Sequence, residues 1–441
     1  MPRLNDRHPK YRRHRHSGQA IVTLDGKDHY LGPHGSQTSI REYDRLIAER
    51  LAHGRRLPVG DSTAPALTVN HVILKFFEHA ESYYRRADGT PTSEVDNYRQ
   101  LLRVLRQLYG HTPAADFGPC ALKAVREHMI GQNWCRRSIN KQVHRLCAVF
   151  KWAAAEEMLP ASIYAQLKTV APLKRGRCAA RETPRKGTVP EEMITAIQPH
   201  VSEQVWDMIQ LQRLSGPRPG ELVFLRPLDL KPVDEELWVH EPAQHKTAWR
   251  EHTRTIRFGP KAIAILMKYV SNRPVDAYLF SPTDAEEVRR AKVHQARKTP
   301  PELGNNIGTN RKHNPRRRPR DHYDVGSYRR AIQRACDQAF PPPPELARHE
   351  VPAKHGHGTR PETKAAWMTR LGPDGWAKLK EWWRAHRWSP HRLRKNAGTE
   401  IRKHSGVEMA KTILGQRSIA VTELYAERDE RKAEEIIRRI G

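Results

Sequence analysis

Several features that mark secreted, membrane and metal-binding proteins are scarce or missing in this sequence. Its 441 residues contain no run of about eighteen apolar residues, so no membrane-spanning segment is expected. The five cysteines are odd in number and form no Cys-x-x-Cys pair, a pattern typical of free thiols in a reducing cytoplasm. The N-terminal stretch is basic but has no apolar core, so it does not read as a secretory signal.

Metal-ligand patterns are also missing. The 24 histidines show no zinc-ligand spacing tied to cysteines. No paired-carboxylate pattern stands out either, which argues against a metal-dependent nuclease. The sequence therefore predicts no metal and no other cofactor.

Acidic residues are outnumbered by basic ones. The chain has 78 Lys and Arg against 49 Asp and Glu, a formal net charge of +29. Such an excess favours a polyanion partner, because each cation placed on a phosphate releases condensed counterions. On charge alone, a ribosomal protein, a nuclease and a repressor fit equally well.

Composition predicts four segments along the chain. Residues 1–60 predict two short strands at 20–24 and 27–31, joined by an Asp25-Gly26 turn and followed by an amphipathic helix. Residues 67–172 show helical apolar periodicity throughout. Residues 173–190 form a basic linker punctuated by Pro and Gly. Residues 191–441 predict a mixed unit of helices and a short strand pair, with a polar insertion near 283–386.

One predicted helix in the second segment carries charge along one face. Its basic residues are candidates for DNA contact, with simple solvation as the alternative: Arg136, Arg137, Lys141 and Arg145. The small hairpin unit at 1–60 is likewise expected to contact DNA, with a solvated decoration as the alternative.

Three motifs in the C-terminal half could act on a phosphodiester. Arg218 and Glu221 lie three residues apart in LSGPRPGEL, His391 and Arg394 form an H-x-x-R pair, and Tyr425 follows near the C-terminus. Breaking the bond without a metal needs a nucleophile, cations on the non-bridging oxygens and an acid for the leaving oxygen. Arg suits the second role because its planar fork binds two oxygens and stays charged.

These motifs, in this order and with these flanking residues, resemble the tyrosine recombinase (phage integrase) family. The resemblance implies that Tyr425 is the nucleophile, that Lys246 in QHKTAWR is the acid for the leaving hydroxyl, and that Glu221 supports the site. The catalytic residues implied by the resemblance are Arg218, Glu221, Lys246, His391, Arg394, Gln416 and Tyr425. Gln416 departs from the His or Trp usual in the family, and its neutral amide donates more weakly than a charged group.

The resemblance also implies a fold and a function. We expect a mainly α protein with small β elements: an N-terminal β-hairpin unit, a helical core-binding domain and a mixed α/β catalytic domain. The expected function is site-specific DNA recombination, integrating or excising a mobile element, by a homo-tetramer on two DNA sites in the bacterial cytoplasm, at the nucleoid. Two alternatives stay open: a DNA-binding regulator with a decayed site, and a type IB topoisomerase-like relaxase.

Overall fold

The computed structural model describes most of the chain. The described residues are 9–24, 26–52, 67–86, 88–184, 186–242, 254–271, 273–298, 300, 320–352, 358–416, 418–425 and 438. The chain divides into two compact units, residues 1–185 and 186–441. Both are mainly helical with small antiparallel sheets, which confirms the predicted fold class. Within the described ranges, no helix is both long and apolar enough to cross a bilayer.

A small sheet opens the first unit. Strands β1 (Arg12–Arg13), β2 (Gln19–Leu24) and β3 (Lys27–Pro33) are antiparallel in that order, and helix α1 (Gln37–Ala52) follows. The sheet does not stand alone, because the Gln19 amide donates to the Gln107 carbonyl at 2.8 Å. The predicted hairpin is thus present and is packed on helices of the same unit.

Five α-helices follow in the described part of the first unit. They are α2 (Val69–Tyr83), α3 (Ser93–Tyr109), α4 (Pro119–Gly131), α5 (Arg136–Ala155) and α6 (Ala161–Lys168). Their apolar faces meet in one core, in which the rings of Phe117 and Phe150 stack with centroids 4.7 Å apart. The predicted boundaries between hairpin unit, core domain and linker remain predictions.

The second unit begins with helices and a three-stranded sheet. Its first elements are α7 (Glu191–Thr195), α8 (Glu203–Ser215), α9 (Pro219–Val223), β4 (Leu230–Pro232), β5 (Trp238–His240), β6 (Ile256–Phe258) and α10 (Pro260–Val270). The sheet order is β4-β5-β6, all antiparallel. The sequence predicted the β5–β6 pair but not β4, which has only three residues and one buried side chain.

The region predicted as a polar insertion is not polar throughout. It contains α11 (Pro282–Gln295), α12 (Val325–Ala339), the strand pair β7 (Glu350–Pro352) and β8 (Thr359–Pro361), and α13 (Lys364–His386). Helix α12 buries Tyr328, Ile332 and Cys336 in the core of the second unit. The segment YRRAIQRACDQAF shows helical periodicity in the sequence, and the structure places it in this core helix, although the region around it is polar.

Two helices end the described chain. Helix α14 (Pro390–Leu414) is interrupted at Gly406, where φ is +80°, and α15 (Ile419–Tyr425) packs against it. Arg392 donates to the carbonyls of Gly187 and Thr188, and the Asn396 amide bonds both backbone groups of Val189. The end of the predicted linker is therefore fixed to the helix that carries the H-x-x-R pair.

Candidate active site

The corner between α8 and α9 positions Arg218. Helix α8 ends at Ser215 and is capped by Gly216, whose φ of +63° favours glycine; a Cβ there would lie 2.8 Å from Cδ2 of Leu414. Pro219 then occupies the first turn of α9, where its missing N–H costs nothing. Arg218, just before it, keeps its side chain 24% exposed. It is thus the accessible guanidinium at this corner.

Glu221 binds both the backbone and the side chain of Arg218. Its carboxylate accepts the Arg218 backbone N–H at 2.8 Å and also binds the Arg218 guanidinium. The carboxylate is almost fully buried, and burial raises its pKa. The charges of Arg254, Arg218 and Arg394, with the hydrogen bond from the Arg218 backbone, outweigh burial and hold the pKa below its ordinary value. An ionised Glu221 therefore fixes the direction of the Arg218 fork.

Arg394 reaches the same corner from α14. Its side chain is buried, and its guanidinium donates to the Gly216 carbonyl at 2.6 Å and to the Leu414 carbonyl. Gly216 lies two residues before Arg218, so α14 brings the second arginine of the H-x-x-R pair beside the first. His391, one turn earlier on α14, is exposed.

Arg254 is a buried cation that the sequence did not single out. It stands just before β6, and its side chain is 3% exposed. Its Nη1 donates to the Ile413 carbonyl at 2.9 Å, and its Nη2 lies 3.5 Å from Oε2 of Glu221. That ion pair lacks hydrogen-bond geometry, and among the described residues Nε and Nη2 have no hydrogen-bond partner. Its place just before the second strand of the β5–β6 pair was the only signal that the sequence offered.

The remaining candidates lie at the end of α14 and beyond. Gln416 follows directly after Gly415, and both atoms of its side-chain amide are buried without a partner among the described residues. Tyr425 is the last residue of α15. Lys246 lies outside the described residues, so its place on the β5–β6 hairpin stays a prediction.

This arrangement is suited to an anion. Three guanidinium groups surround one carboxylate at the meeting point of α8, α9, α14 and β6, which leaves an excess of positive charge in a partly buried place. Arginine donors fixed in advance stabilise charge that develops on phosphate oxygens. Among the described residues, no group of three or more His, Cys, Asp or Glu side chains could hold a metal ion.

The four DNA-contact candidates on α5 differ in their surroundings. Arg145 makes two hydrogen bonds to Glu94, at 2.9 and 3.0 Å. Arg136 binds both oxygens of Glu182. Arg137 and Lys141 are exposed, and among the described residues no carboxylate lies within ion-pair distance of either. Half of the predicted basic face is thus already neutralised within the protein.

Comparison with known proteins gives a match only at the level of structure. No protein-family model matches the sequence, and no curated protein matches it. The integrase of transposon Tn1549, solved with a circular intermediate DNA, has 14% identity and a TM-score of 0.51, and the match covers 85% of this chain and 100% of that chain. A lambda integrase dimer bound to a COC′ core site also has 14% identity and a TM-score of 0.51, covering 98% of this chain and 97% of that one.

At this identity the likeness establishes the fold. Both solved structures are tyrosine recombinases built from a core-binding and a catalytic domain, and this chain has that fold. The family resemblance carried by the three sequence motifs is confirmed to that extent.

Proposed function

We propose that this chain is a site-specific DNA recombinase that cuts and rejoins DNA through a 3′-phosphotyrosine intermediate and integrates or excises a mobile element. The observation that carries the proposal is the meeting of Arg218, Glu221 and Arg394 across Gly216. These residues come from two motifs far apart in the sequence. Arginines brought together in this way are what a scissile phosphate requires.

The first chemical step needs no metal. The Tyr425 hydroxyl gives up its proton to water and attacks phosphorus, and the bond from phosphorus to the 5′ oxygen breaks. The 5′ oxygen keeps the electron pair and takes a proton from Lys246. Arg218, Arg394, His391 and Gln416 stabilise the non-bridging oxygens while negative charge builds on them.

The second step reverses the first with a new partner. The 5′ hydroxyl of another strand gives its proton to Lys246 and attacks the phosphotyrosine, and Tyr425 leaves and takes a proton from water. Because the phosphotyrosine conserves the bond energy, no nucleotide is consumed. Two such exchanges pass through a Holliday junction, for which the proposed assembly is a homo-tetramer on two double-stranded DNA sites. The proposed place of action is the bacterial cytoplasm, at the nucleoid.

A suicide substrate tests the proposal directly. A duplex nicked near the cleavage position loses its leaving strand after attack and traps the covalent adduct on a denaturing gel. Wild type should form an adduct that peptide mapping places on Tyr425. Tyr425→Phe should bind the same duplex and form none, because only the hydroxyl is removed.

Other outcomes of that experiment favour the alternatives. Binding without any adduct in wild type would favour a regulator with a decayed site. An adduct that reseals on its own duplex but never joins a second one would favour a relaxase. An adduct that persists in Tyr425→Phe would contradict the assignment of the nucleophile.

The role of Lys246 has its own test. Lys246→Ala should slow cleavage of normal DNA by roughly 10²-fold or more, the usual contribution of a general acid. A substrate whose 5′ oxygen is replaced by sulfur should restore the rate, because a thiolate leaves without a proton. If sulfur gives no rescue, Lys246 has another role.

A further inference from the structure

Arg254 is buried at a cost that its neighbours only partly offset. A buried guanidinium loses its hydration, and burial lowers the pKa of Arg254 even with Glu221 beside it. Two of its nitrogens have no hydrogen-bond partner among the described residues. A cation kept in such a place indicates that its neighbours depend on it.

The first neighbour is the Glu221 carboxylate. The charged and titratable groups that face it are Arg218 at the start of α9, Arg254 before β6, Arg394 on α14 and His240 on β5. Among these cations, Arg254 contributes most to lowering the Glu221 pKa, ahead of Arg218. Burial lowers the pKa of His240 and so disfavours its charged form, which makes His240 a poor substitute for an arginine. The support that Glu221 gives to Arg218 thus depends on Arg254.

The second neighbour is the end of α14. Arg254 binds the carbonyl of Ile413, and Arg394 binds the carbonyl of Leu414, so the two guanidinium groups cap the helix together. Gly415 follows with φ of +55°, and a Cβ there would lie 2.6 Å from Nη1 of Arg254. The turn that carries Gln416 and leads to α15 therefore rests on Arg254.

We propose that Arg254 is a positioning residue of the cleavage site, which holds the Arg218–Glu221 pair and the turn at Gly415–Gln416 in place around one phosphate. This inference rests on the proposed function. Arg254 acts through Glu221 and through the helix end, and does not itself touch the reacting atoms.

The test compares Arg254→Met and Arg254→Lys with Arg257→Met. Arg257 is the matched control, because it is an exposed arginine three residues later on β6. Adduct formation on the suicide substrate is measured against pH for each protein. Arg254→Met should slow it by roughly 10²-fold, as for loss of one preorganised donor, and should move the acid side of the profile to higher pH. Arg257→Met should leave both unchanged.

Two further variants separate positioning from a loss of folding. Arg254→Lys keeps the charge without the guanidinium geometry, so it should keep the wild-type acid side and recover only part of the rate. In a Glu221→Gln background, Arg254→Met should no longer change the pH profile, because the group that titrates is gone. A profile shift of Arg254→Met that persists in that background, or an unchanged profile in the single variant, overturns the proposal.

Stability against pH gives a readout that does not need cleavage. Glu221 has a lowered pKa, so wild type should lose unfolding free energy as pH falls below about 4.5. Without Arg254, burial raises that pKa, and the dependence should flatten or reverse in Arg254→Met but not in Arg257→Met. If wild type forms no adduct yet shows this difference, the proposed function fails and the link between Arg254 and Glu221 stands. If neither variant changes the dependence, the link itself is wrong.

A separate observation in the first unit carries a second inference. An open cavity of about 480 Å³ is lined by side chains of α4, by residues 169–174 and by Arg177, and four of its lining residues are cations: Lys123, Arg126, Lys174 and Arg177. No carboxylate lines it. Arg126 donates to the Ala171 carbonyl at 3.1 Å, and its buried Nε has no partner among the described residues.

Among the described residues, the four cations of this cavity have no ion-pair partner, unlike Arg136 and Arg145 on α5. No carboxylate lies within ion-pair distance of its four cations among the described residues, whereas Glu182 and Glu94 neutralise Arg136 and Arg145. Like charges gathered in one concavity repel each other unless an anion sits between them. We infer that the cavity binds phosphate, and that the phosphate belongs to a DNA backbone.

Duplex binding by the full chain tests this second inference. Lys123→Gln with Arg177→Gln should weaken affinity several-fold and reduce the slope of log affinity against log salt by about 0.9 for each phosphate that the variant no longer neutralises. The control changes Lys75→Gln and Arg99→Gln, two cations that already have carboxylate partners. Equal effects in the two double variants, or none in either, overturn it.

Free phosphate is the other possible source of the anion. If inorganic phosphate raises the melting temperature of wild type but not of the cavity variant, while duplex affinity is equal in both, the cavity takes a small anion and not DNA. If wild type binds no duplex at all, the DNA part of the proposed function fails as well.

Discussion

The candidate functional cations of the two units differ in their burial and in their hydrogen bonds. In the second unit, Arg254 and Arg394 are buried and donate to the carbonyls of Ile413 and Leu414 at the end of one helix. In the first unit, Arg137 and Lys141 extend from α5 into solvent. The buried guanidinium groups are held in one orientation, whereas the exposed side chains keep their conformational freedom and their hydration.

We therefore expect the buried cations to contribute to the rate of cleavage and the exposed cations to contribute to the affinity for DNA. A donor fixed before the substrate arrives costs no reorganisation when charge develops, so its removal lowers the rate. An exposed cation on a phosphate contributes mainly counterion release, so its removal changes affinity and the salt dependence. The comparison predicts that variants in the two units fail in different assays.

Among the variants that test this comparison, the largest effect is expected for Arg394→Ala. It should slow adduct formation by roughly 10²–10³-fold, the usual result of losing one preorganised donor. It should also lower the melting temperature, because the carbonyls of Gly216 and Leu414 lose their partner. Arg137→Ala, measured in parallel, should leave the rate of the bound complex unchanged. A normal rate in Arg394→Ala would break the comparison.

A smaller effect is expected for Glu221→Gln. The amide still accepts from the Arg218 backbone N–H but loses the ion pairs, so cleavage should slow roughly ten- to a hundredfold, the worth of a hydrogen bond to a charged group. In wild type the unfolding free energy should fall as pH drops below about 4.5, because Glu221 has a lowered pKa in the folded protein. Glu221→Gln has no carboxylate at this position, so it should not show this fall. Urea unfolding at several pH values measures this. An identical pH dependence in both proteins would show that Glu221 is not ionised in the fold.

Gln416→His should change the rate by about tenfold or less. An imidazole is the stronger donor to a non-bridging oxygen, so we expect faster cleavage with binding unchanged. The buried amide of Gln416 has no partner among the described residues, which leaves it open to such a hydrogen bond. Slower cleavage in the variant would indicate that Gln416 is already suited to this site.

The smallest effect is expected on α5. Arg137→Ala with Lys141→Ala should weaken duplex binding a few-fold and lower the salt slope by at most about 0.9 per phosphate. Arg136→Ala with Arg145→Ala should do less to the salt slope, because Glu182 and Glu94 already neutralise these arginines. If the second pair matters more, the ion pairs open on DNA and the division between the units is less sharp.

The sequence predicted features that depend on neighbouring residues, and it missed features that depend on contacts between residues far apart in the chain. The hairpin at 20–31 and the helices were visible because periodicity and turn residues are local signals. Arg218, His391 and Arg394 were predicted as site residues because they stand in short motifs, and their catalytic role stays a prediction. Arg254 was not predicted, because its contacts to Glu221 and Ile413 depend on burial, which no spacing reveals. Arg136 and Arg145 looked free because their carboxylate partners lie 46 and 51 residues away.

Gly216 and Gly415 place a limit on how this protein tolerates mutation. Neither carries a functional group, yet both have positive φ and lie where a Cβ would meet Leu414 or Arg254. In a scan that replaces every residue in turn and selects for recombination, both positions should score as badly as Arg218 or Tyr425. A ranking by intolerance alone would thus mix the residues proposed to bind the phosphate with the glycines that leave room for Leu414 and Arg254. Selecting the same library for folded protein would separate the two classes, because the glycines should fail both selections and Tyr425 only one.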